Sequence, residues 1–266
     1  MKGYLSYFKS ELLVMLQYRT AALAGIATQF FWGLIYALVY TAFYQNANID
    51  NINLNELMCY VWLNQAFIMI IYLSIKDSEI QNSIKTGTVA YELCKPYDLY
   101  TWWYLKILAK RYAGSLLRCL PILIVAFILP APYNLTLPPN IFSLFMFIMT
   151  LLLGSLLIVA INMIVQTIGF YTLQDKGING IVYSVGALLS GFFLPLPLMP
   201  ELFLKLTEYL PFRFIGDLSF RIYSGNIGVQ YGIKSMIIQI IWIIILILIG
   251  KIFMKFTLKK VSIQGG

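Results

Sequence analysis

Four side-chain amides are the polar groups most out of place in this chain. Asn64, Gln65, Asn162 and Gln166 fall inside long apolar runs, where burying an unpaired polar group costs roughly 2–7 kcal/mol. Asn162 and Gln166 are four residues apart and so share one face of a helix. Singly, such groups act as glue between helices; together, they are candidates for lining a path that a solute follows. Gln29, Gln239 and Arg118 also sit in apolar runs, and the long arm of Arg118 lets it snorkel toward an interface or reach a carboxylate. None of this is reaction chemistry. The chain has no histidine, which removes the commonest general base and the commonest metal ligand together. Cys59, Cys94 and Cys119 are odd in number and widely spaced, fitting neither a disulfide frame nor a metal cluster. A Gly-x-x-x-x-Gly-Lys phosphate loop, a His-Glu-x-x-His helix and a Gly-x-Ser-x-Gly elbow are all missing. No Asp or Glu falls clearly in the core of an apolar run, which disfavours a proton relay. The expectation is a non-catalytic body without a cofactor.

The elements that must position those amides are membrane-spanning helices. Sixty per cent of the 266 residues are hydrophobic and 11% are charged, too little polar surface for a soluble domain. Apolar runs lie near 20–43, 55–75, 112–129, 141–170, 181–194 and 235–256, and a crossing takes about 20 helical residues. Helix is the default because hydrocarbon offers no partners for open backbone groups, and the runs lack the alternation of barrel strands. The fifth run is short and is expected to extend toward Gly177 or into the prolines beyond it. The sequence thus predicts an all-α polytopic membrane protein with six transmembrane helices.

Net charge is +8, unevenly spread. Lys2, Lys9 and Arg19 precede the first run. Lys76, Lys85, Lys95, Lys106, Lys110 and Arg111 lie between the second and third, and Lys251, Lys255, Lys259 and Lys260 close the chain. Segments 44–54 and 130–140 have no Lys or Arg. Cytoplasmic segments carry the basic excess, so both termini are expected inside a plasma membrane, without a cleavable signal. The basic balance is then a topology signal, and no nucleic-acid partner is implied. Trp32, Trp62, Trp102, Trp103 and Trp242 suit anchoring to membrane lipid at the interfaces.

Three further segments have character. Tyr4, Phe8, Leu12 and Met15 recur at helical spacing in residues 2–18, predicting an interfacial amphipathic helix. Segment 76–111 mixes Asp77, Glu79, Glu92 and Asp98 with six basic residues, a break at Gly87 and a stop at Pro96; its length and apolar residues suit docking to another protein. In Ser190-Gly-Phe-Phe-Leu-Pro-Leu-Pro-Leu-Met-Pro200, prolines alternate with large apolar residues, and Leu210-Pro-Phe212 follows. Broken apolar backbone at membrane depth requires burial in protein or a cavity. The expectation is a helix that leaves the membrane at Pro195, then a short helix dipping back from the outer face.

The interfacial start Tyr4–Tyr18, the run Ile84-Lys-Thr-Gly-Thr-Val-Ala-Tyr-Glu-Leu-Cys-Lys-Pro96, the stretch 190–200, Leu210-Pro-Phe212 and Tyr223-Ser-Gly-Asn226 together resemble the ABC-2 type (type 2 exporter) permease subunits of ABC transporters, in their six-helix bacterial branch. The likeness covers essentially the whole chain. It implies a single permease domain over 1–266, with an elbow helix at 1–19, a cytosolic coupling segment at 76–111 and an extracellular re-entrant segment at 195–233. It implies contact with a separate ABC ATPase subunit through candidates Asp77, Glu79, Gly87, Glu92 and Pro96, and an extracellular gate at Phe192, Phe193, Pro195, Pro197, Pro200 and Pro211. A second permease subunit, identical or not, would complete the path. A self-sufficient channel or ion-coupled carrier is the alternative, disfavoured by the missing acidic residues and inverted repeats.

Overall fold

The computed structural model describes residues 2–46, 51–73, 77–172 and 176–260, and every regular element among them is helical. In order these are α1 (Lys2–Met15), α2 (Arg19–Asn46), α3 (Leu54–Ala66), α4 (Ile68–Ile71), α5 (Ser78–Lys85), α6 (Val89–Leu93), α7 (Leu99–Ile128), α8 (Ile141–Thr172), α9 (Lys176–Leu189), α10 (Glu201–Thr207), α11 (Asp217–Ser224) and α12 (Val229–Lys260). Two 3-10 turns, Leu196–Leu198 and Pro211–Ile215, flank α10. Among the described residues, four helices (α2, α7, α8 and α12) contain stretches long and apolar enough to cross a membrane, and the apolar part of α9 is shorter.

The remaining expected crossings are built differently from a plain hydrophobic rod. α3 starts in a capping box, with Glu56 N–H donating to Asn53 Oδ1 at 2.9 Å and Asn53 N–H to Glu56 Oε2 at 3.1 Å. It ends at Ala66; the chain breaks at Phe67, restarts as α4 and turns extended at Tyr72. Ten consecutive residues, Leu57 to Ala66, are buried, so α3 is enclosed by protein and its two polar amides face no open lipid. Residues 74–76, in the expected second run and its exit, lie outside the described residues. α9 does begin near Gly177, but it stops at Leu189 rather than at Pro195. A glycine C-cap ends it: Gly191 takes φ +73°, and the Phe192 N–H donates to the Ala187 carbonyl at 3.1 Å. A Cβ on Gly191 would come within 2.4 Å of the Tyr60 hydroxyl. Here glycine, not proline, sets the boundary.

The third run is also longer than its hydropathy. α7 opens at Leu99, not near 112, with the Asp98 carboxylate accepting the Thr101 N–H at 3.0 Å. Lys106, Lys110 and Arg111 mask this first half, yet Leu99, Tyr100, Trp103, Tyr104 and Ile107 are buried along it. Residues 77–111 of the expected docking segment are therefore short helices plus the first turns of α7. α1 lies against those turns: the Tyr7 and Trp102 rings stack, and the Tyr4 hydroxyl accepts the Asp98 N–H at 2.9 Å.

α8 is the central post, with 61% of its most apolar window buried, against 22% for α2 and 17% for α12. Gly154 on α8 meets backbone: a Cβ there would lie 2.4 Å from the Ile215 carbonyl oxygen. That contact is about 20 Å along α8 from Ile141, at 1.5 Å per residue. Gln239, about 15 Å into α12, donates to the carbonyls of Thr150 at 2.9 Å and Phe214 at 2.8 Å. The turn Pro211–Ile215 is thus held deep between the two longest helices.

Candidate functional site

Two of the four amides meet the proline-rich stretch in one cleft. Tyr36 and Tyr40 of α2, Tyr60, Val61, Asn64 and Gln65 of α3, and Phe192, Phe193 and Pro195 line a narrow cleft with room for about one water molecule. The Asn64 Nδ2 donates to the Phe192 carbonyl at 3.3 Å, and the Tyr40 hydroxyl to the Phe193 carbonyl at 3.4 Å. These bonds fasten the turn after α9 onto α2 and α3. Phe193 is exposed, Phe192 and Gln65 are half-buried and buried respectively, and Pro195, Pro197 and Pro211 are buried, whereas Pro200 is exposed. Rings continue in both directions, from Trp32 through Tyr36 to Tyr40 and from Phe193 and Phe192 to Tyr183 and Tyr72. Among the described residues, none that lines the cleft is formally charged.

Asn162 and Gln166 lie elsewhere. Both are buried in α8. In the amide orientation that satisfies both its atoms, Asn162 donates to the Leu73 carbonyl and accepts from Arg111 Nη2. Arg111 is fully buried, and its Nη1 donates to the carbonyls of Ile70 at 2.9 Å, Tyr72 at 3.0 Å and Met69 at 3.3 Å. These are the carbonyls freed where α4 ends, so the guanidinium serves as a C-cap reached from another helix. Sequence reading left Arg111 among the basic residues of a polar segment; an arginine only seven residues from Arg118 on the same helix was the available signal. Among the described residues Arg118 meets no carboxylate. It packs on Gly25, which leaves room for the guanidinium, and reaches Met69 Sδ at 3.4 Å.

A buried ion cluster went unseen as well. Asp217, fully buried at the start of α11, pairs with Arg213 at 3.5 Å and Arg221 at 3.6 Å and lies 3.2 Å from the Tyr60 hydroxyl. Arg221 Nε donates to Asn226 Oδ1 at 2.7 Å, and Asn226 Nδ2 donates to Glu56 at 2.8 Å. The Tyr223-Ser-Gly-Asn226 motif acquires a mechanical sense: Gly225, at φ +83°, ends α11, and Asn226 then bolts it to the cap of α3.

At the opposite end, α5 packs on α8, and side chains tie α5 and α6 to α7. Asp77, 4% exposed, caps α5 by accepting the N–H groups of Glu79 and Ile80 at 3.1 Å, and pairs with Lys110 at 2.8 Å. Lys110 also reaches Glu79 at 3.4 Å and Glu11 of α1 at 3.9 Å, while Glu79 pairs with Lys106. The Lys106 hydrogen bond, helped by the charge of Lys110, holds the Glu79 carboxyl below the usual carboxylate range. Burial, followed by the charge of Glu11, pushes the Tyr7 hydroxyl up. Gly87 makes the turn between α5 and α6 at φ +73°. Glu92 accepts the indole N–H of buried Trp103 at 2.6 Å, and Pro96 lies in the exposed turn before α7. The outward side of α6 and this turn expose Tyr91 (75%), Leu93, Cys94 and Tyr97.

Two tryptophans depart from their expected place at the lipid interface. Trp62 and Trp103 are 0% and 1% exposed; the Trp62 indole donates to the Tyr133 carbonyl at 2.6 Å and its ring fills the space left by Gly33. Each has its N–H satisfied internally, which permits full burial.

A body that is all-helical among the described residues, with four long apolar helices, is that of a multi-pass membrane protein. A family model described as an ABC-2 family transporter protein matches residues 7–265. The chain belongs to that family and is a permease component of an ABC transporter. A sequence search of curated proteins finds no match.

Proposed function

We propose that this permease is the membrane-spanning part of an ATP-driven exporter, paired with a second permease and driven by separate ABC ATPase subunits. It crosses a plasma membrane six times, through α2, α3 with α4, α7, α8, α9 and α12, with both termini in the cytoplasm, as the Lys and Arg distribution supports. Segment 195–233 is then extracellular and re-entrant, and the turn Pro211–Ile215 reaches membrane depth where Gln239 of α12 donates to the Phe214 carbonyl and Gly154 lets α8 pack against it. Asn64 and Gln65 line the path, closed toward the outside by Phe192, Phe193, Pro195, Pro197, Pro200 and Pro211. Asn162 and Gln166 act within the subunit wall.

The observation that carries the ATPase assignment is the exposed Tyr91–Leu93–Tyr97 surface on a platform braced by ion pairs to Lys106 and Lys110 of α7, the latter also reaching Glu11 of α1. Exposed apolar side chains grouped at one tip mark a protein contact, and a platform tied to a transmembrane helix transmits displacement. Glu79, Gly87 and Pro96 shape that platform, and Asp77 and Glu92 hold it from inside. The test is capture of the full chain from its native membranes. Expected is co-recovery of an ABC ATPase, reduced about ten-fold or more by Tyr91→Asp, with the yield of the chain itself unchanged. Capture without any ATPase, or uphill solute accumulation by vesicles containing this chain alone, refutes the assignment.

A further inference from the structure

The exposed face of α12 changes chemistry along its length. Ile237, Ile241, Ile244 and Leu248 are exposed, and their spacing of three or four residues makes them one stripe. Lys251, Lys255 and Lys259 continue that stripe at the same spacing, and all three are exposed. Ile252 and Phe256, 56% and 57% exposed, are interleaved with them. From Val229 to the end of the chain there is no Asp or Glu. Among the described residues Lys255 and Lys259 enter no ion pair. Lys251 lies 3.8 Å from Asp98, with the two side chains 49% and 54% exposed, a contact worth little in water. Lys106 and Lys110 differ: each is neutralised by carboxylates of the α5 platform.

We infer that Lys251, Lys255 and Lys259 form a comb that binds anionic phospholipid, holding the phosphate headgroups of the leaflet at the C-terminal end of α12. The inference rests on α12 crossing the membrane and is independent of what the protein transports. Cations interleaved with exposed Ile252 and Phe256 fit the boundary between acyl chains and headgroups. The apolar side chains stay in hydrocarbon while the lysine stems carry their amines out to the phosphates. Lys251 and Lys255 are about 6 Å apart along the helix axis, matching a headgroup layer of about 5–8 Å. Lys259 stands one turn further out, still within a Debye length of about 8 Å. A second copy packed symmetrically along this stripe would set lysine against lysine, which like charges oppose. An acidic protein surface would match the lysines, but lipid matches the cations and the apolar stripe together.

The probes are phosphatidylglycerol and phosphatidylcholine with the same acyl chains, which differ in net charge. The full chain is released from nanodiscs holding equal amounts of the two, and the lipids it retains are counted by native mass spectrometry. Expected is enrichment of phosphatidylglycerol by about five-fold or more, the worth of one lysine near an anionic surface. Lys251→Gln, Lys255→Gln and Lys259→Gln together return the ratio to that of the bilayer, and Lys255→Gln alone lowers it in part. The triple variant melts like the unaltered chain in phosphatidylcholine, because these lysines hold no other element firmly. Lys85→Gln, Lys205→Gln and Lys234→Gln together remove the same charge at exposed positions off the comb and keep the enrichment. Enrichment that survives the comb variant, or is lost equally in the off-comb variant, overturns the inference. So does a comb variant that keeps its lipid ratio but loses a co-recovered ATPase, since the lysines then serve a protein contact. The lipid count is made on this chain alone, so its failure leaves the ATPase assignment standing, and the reverse holds too.

Discussion

Replacing Arg111 by Met tests whether one buried guanidinium holds the break between α4 and the chain beyond it. The side chains have similar length, so packing is largely kept while the donors vanish. Two short bonds are lost, to the Ile70 carbonyl at 2.9 Å and the Tyr72 carbonyl at 3.0 Å, together with the Asn162 contact. Leaving each acceptor dry costs about 1–3 kcal/mol, or about 2–6 kcal/mol for the pair. Removing a buried cation returns part of its desolvation cost, so the net loss is about 2–4 kcal/mol. For a chain of this size each kcal/mol moves a melting temperature by about 2–4 °C, giving a fall of roughly 4–16 °C. The assay is thermal unfolding of the detergent-solubilised chain followed by tryptophan fluorescence. Arg111→Lys should recover only part of the loss, because a point charge cannot reproduce the planar fork. Asn162→Leu combined with Arg111→Met should cost less than the sum of the single changes. If Arg111→Met melts within about 2 °C of the unaltered chain, the guanidinium is not a cap and the argument fails.

Gly154→Val should destabilise by about 1–3 kcal/mol, because the obstacle is the Ile215 backbone and not a side chain that can swing away; the same melting assay reads it, and unchanged stability would mean the turn is not seated on α8. Lys110→Met should cost about 1–3 kcal/mol, less than loss of a fully enclosed partner because Lys110 keeps 20% exposure, and should speed tryptic cleavage at Lys85; a cleavage rate equal to wild type counts against the brace. The Glu79 carboxyl, depressed by Lys106 in the folded chain, contributes stability that is full above its unfolded value of about 4.3 and is lost as pH falls through the folded value. Glu79→Gln should therefore lower melting at pH 7 and leave a shallower decline into acid, with parallel acid limbs as the contrary result.

The legible part of this molecule was whatever hydropathy and breakers encode directly. The apolar runs that became α2, α8 and α12 were visible because each is long, continuous and almost free of charge. α3 was visible as apolar but not as broken, since Phe67 carries no breaker signal and the break is maintained from α7 by Arg111. α7 was cut short in the reading because its first turns face α1 and α5 through Lys106 and Lys110, and hydropathy scores such turns as polar loop. The same blindness hid Asp217: its two arginines sit four residues away on either side, a spacing easily taken for a solvated helix face. Of the four amides, Asn64 and Gln65 share the aromatic cleft and Asn162 serves Arg111. Which wall an amide faces depends on neighbours distant in sequence.

α7 joins the two regions on which transport would depend. Lys110 and Arg111 are consecutive, and consecutive helical residues point about 100° apart, so they engage different neighbours from one turn. Lys110 holds α5 and α1; Arg111 holds the end of α4. Asn64 lies one helical turn before the Phe67 break, beside the cleft and bonded to the stretch that follows α9. Displacement of α5 therefore acts on a turn of α7 that is already bonded to the end of α4, just beyond the break that closes α3. A tilt there requires no melting of α3, because the chain is interrupted at Phe67, and hinges of this kind absorb backbone rotation at a few residues. The aromatic contacts among Tyr72, Tyr183 and Phe192, at 5.2 and 5.4 Å between ring centres, would slide first. They adjoin the cleft on the side facing α4, so motion at the α5 platform would alter the cleft before it disturbs the deeply seated turn beside Gly154.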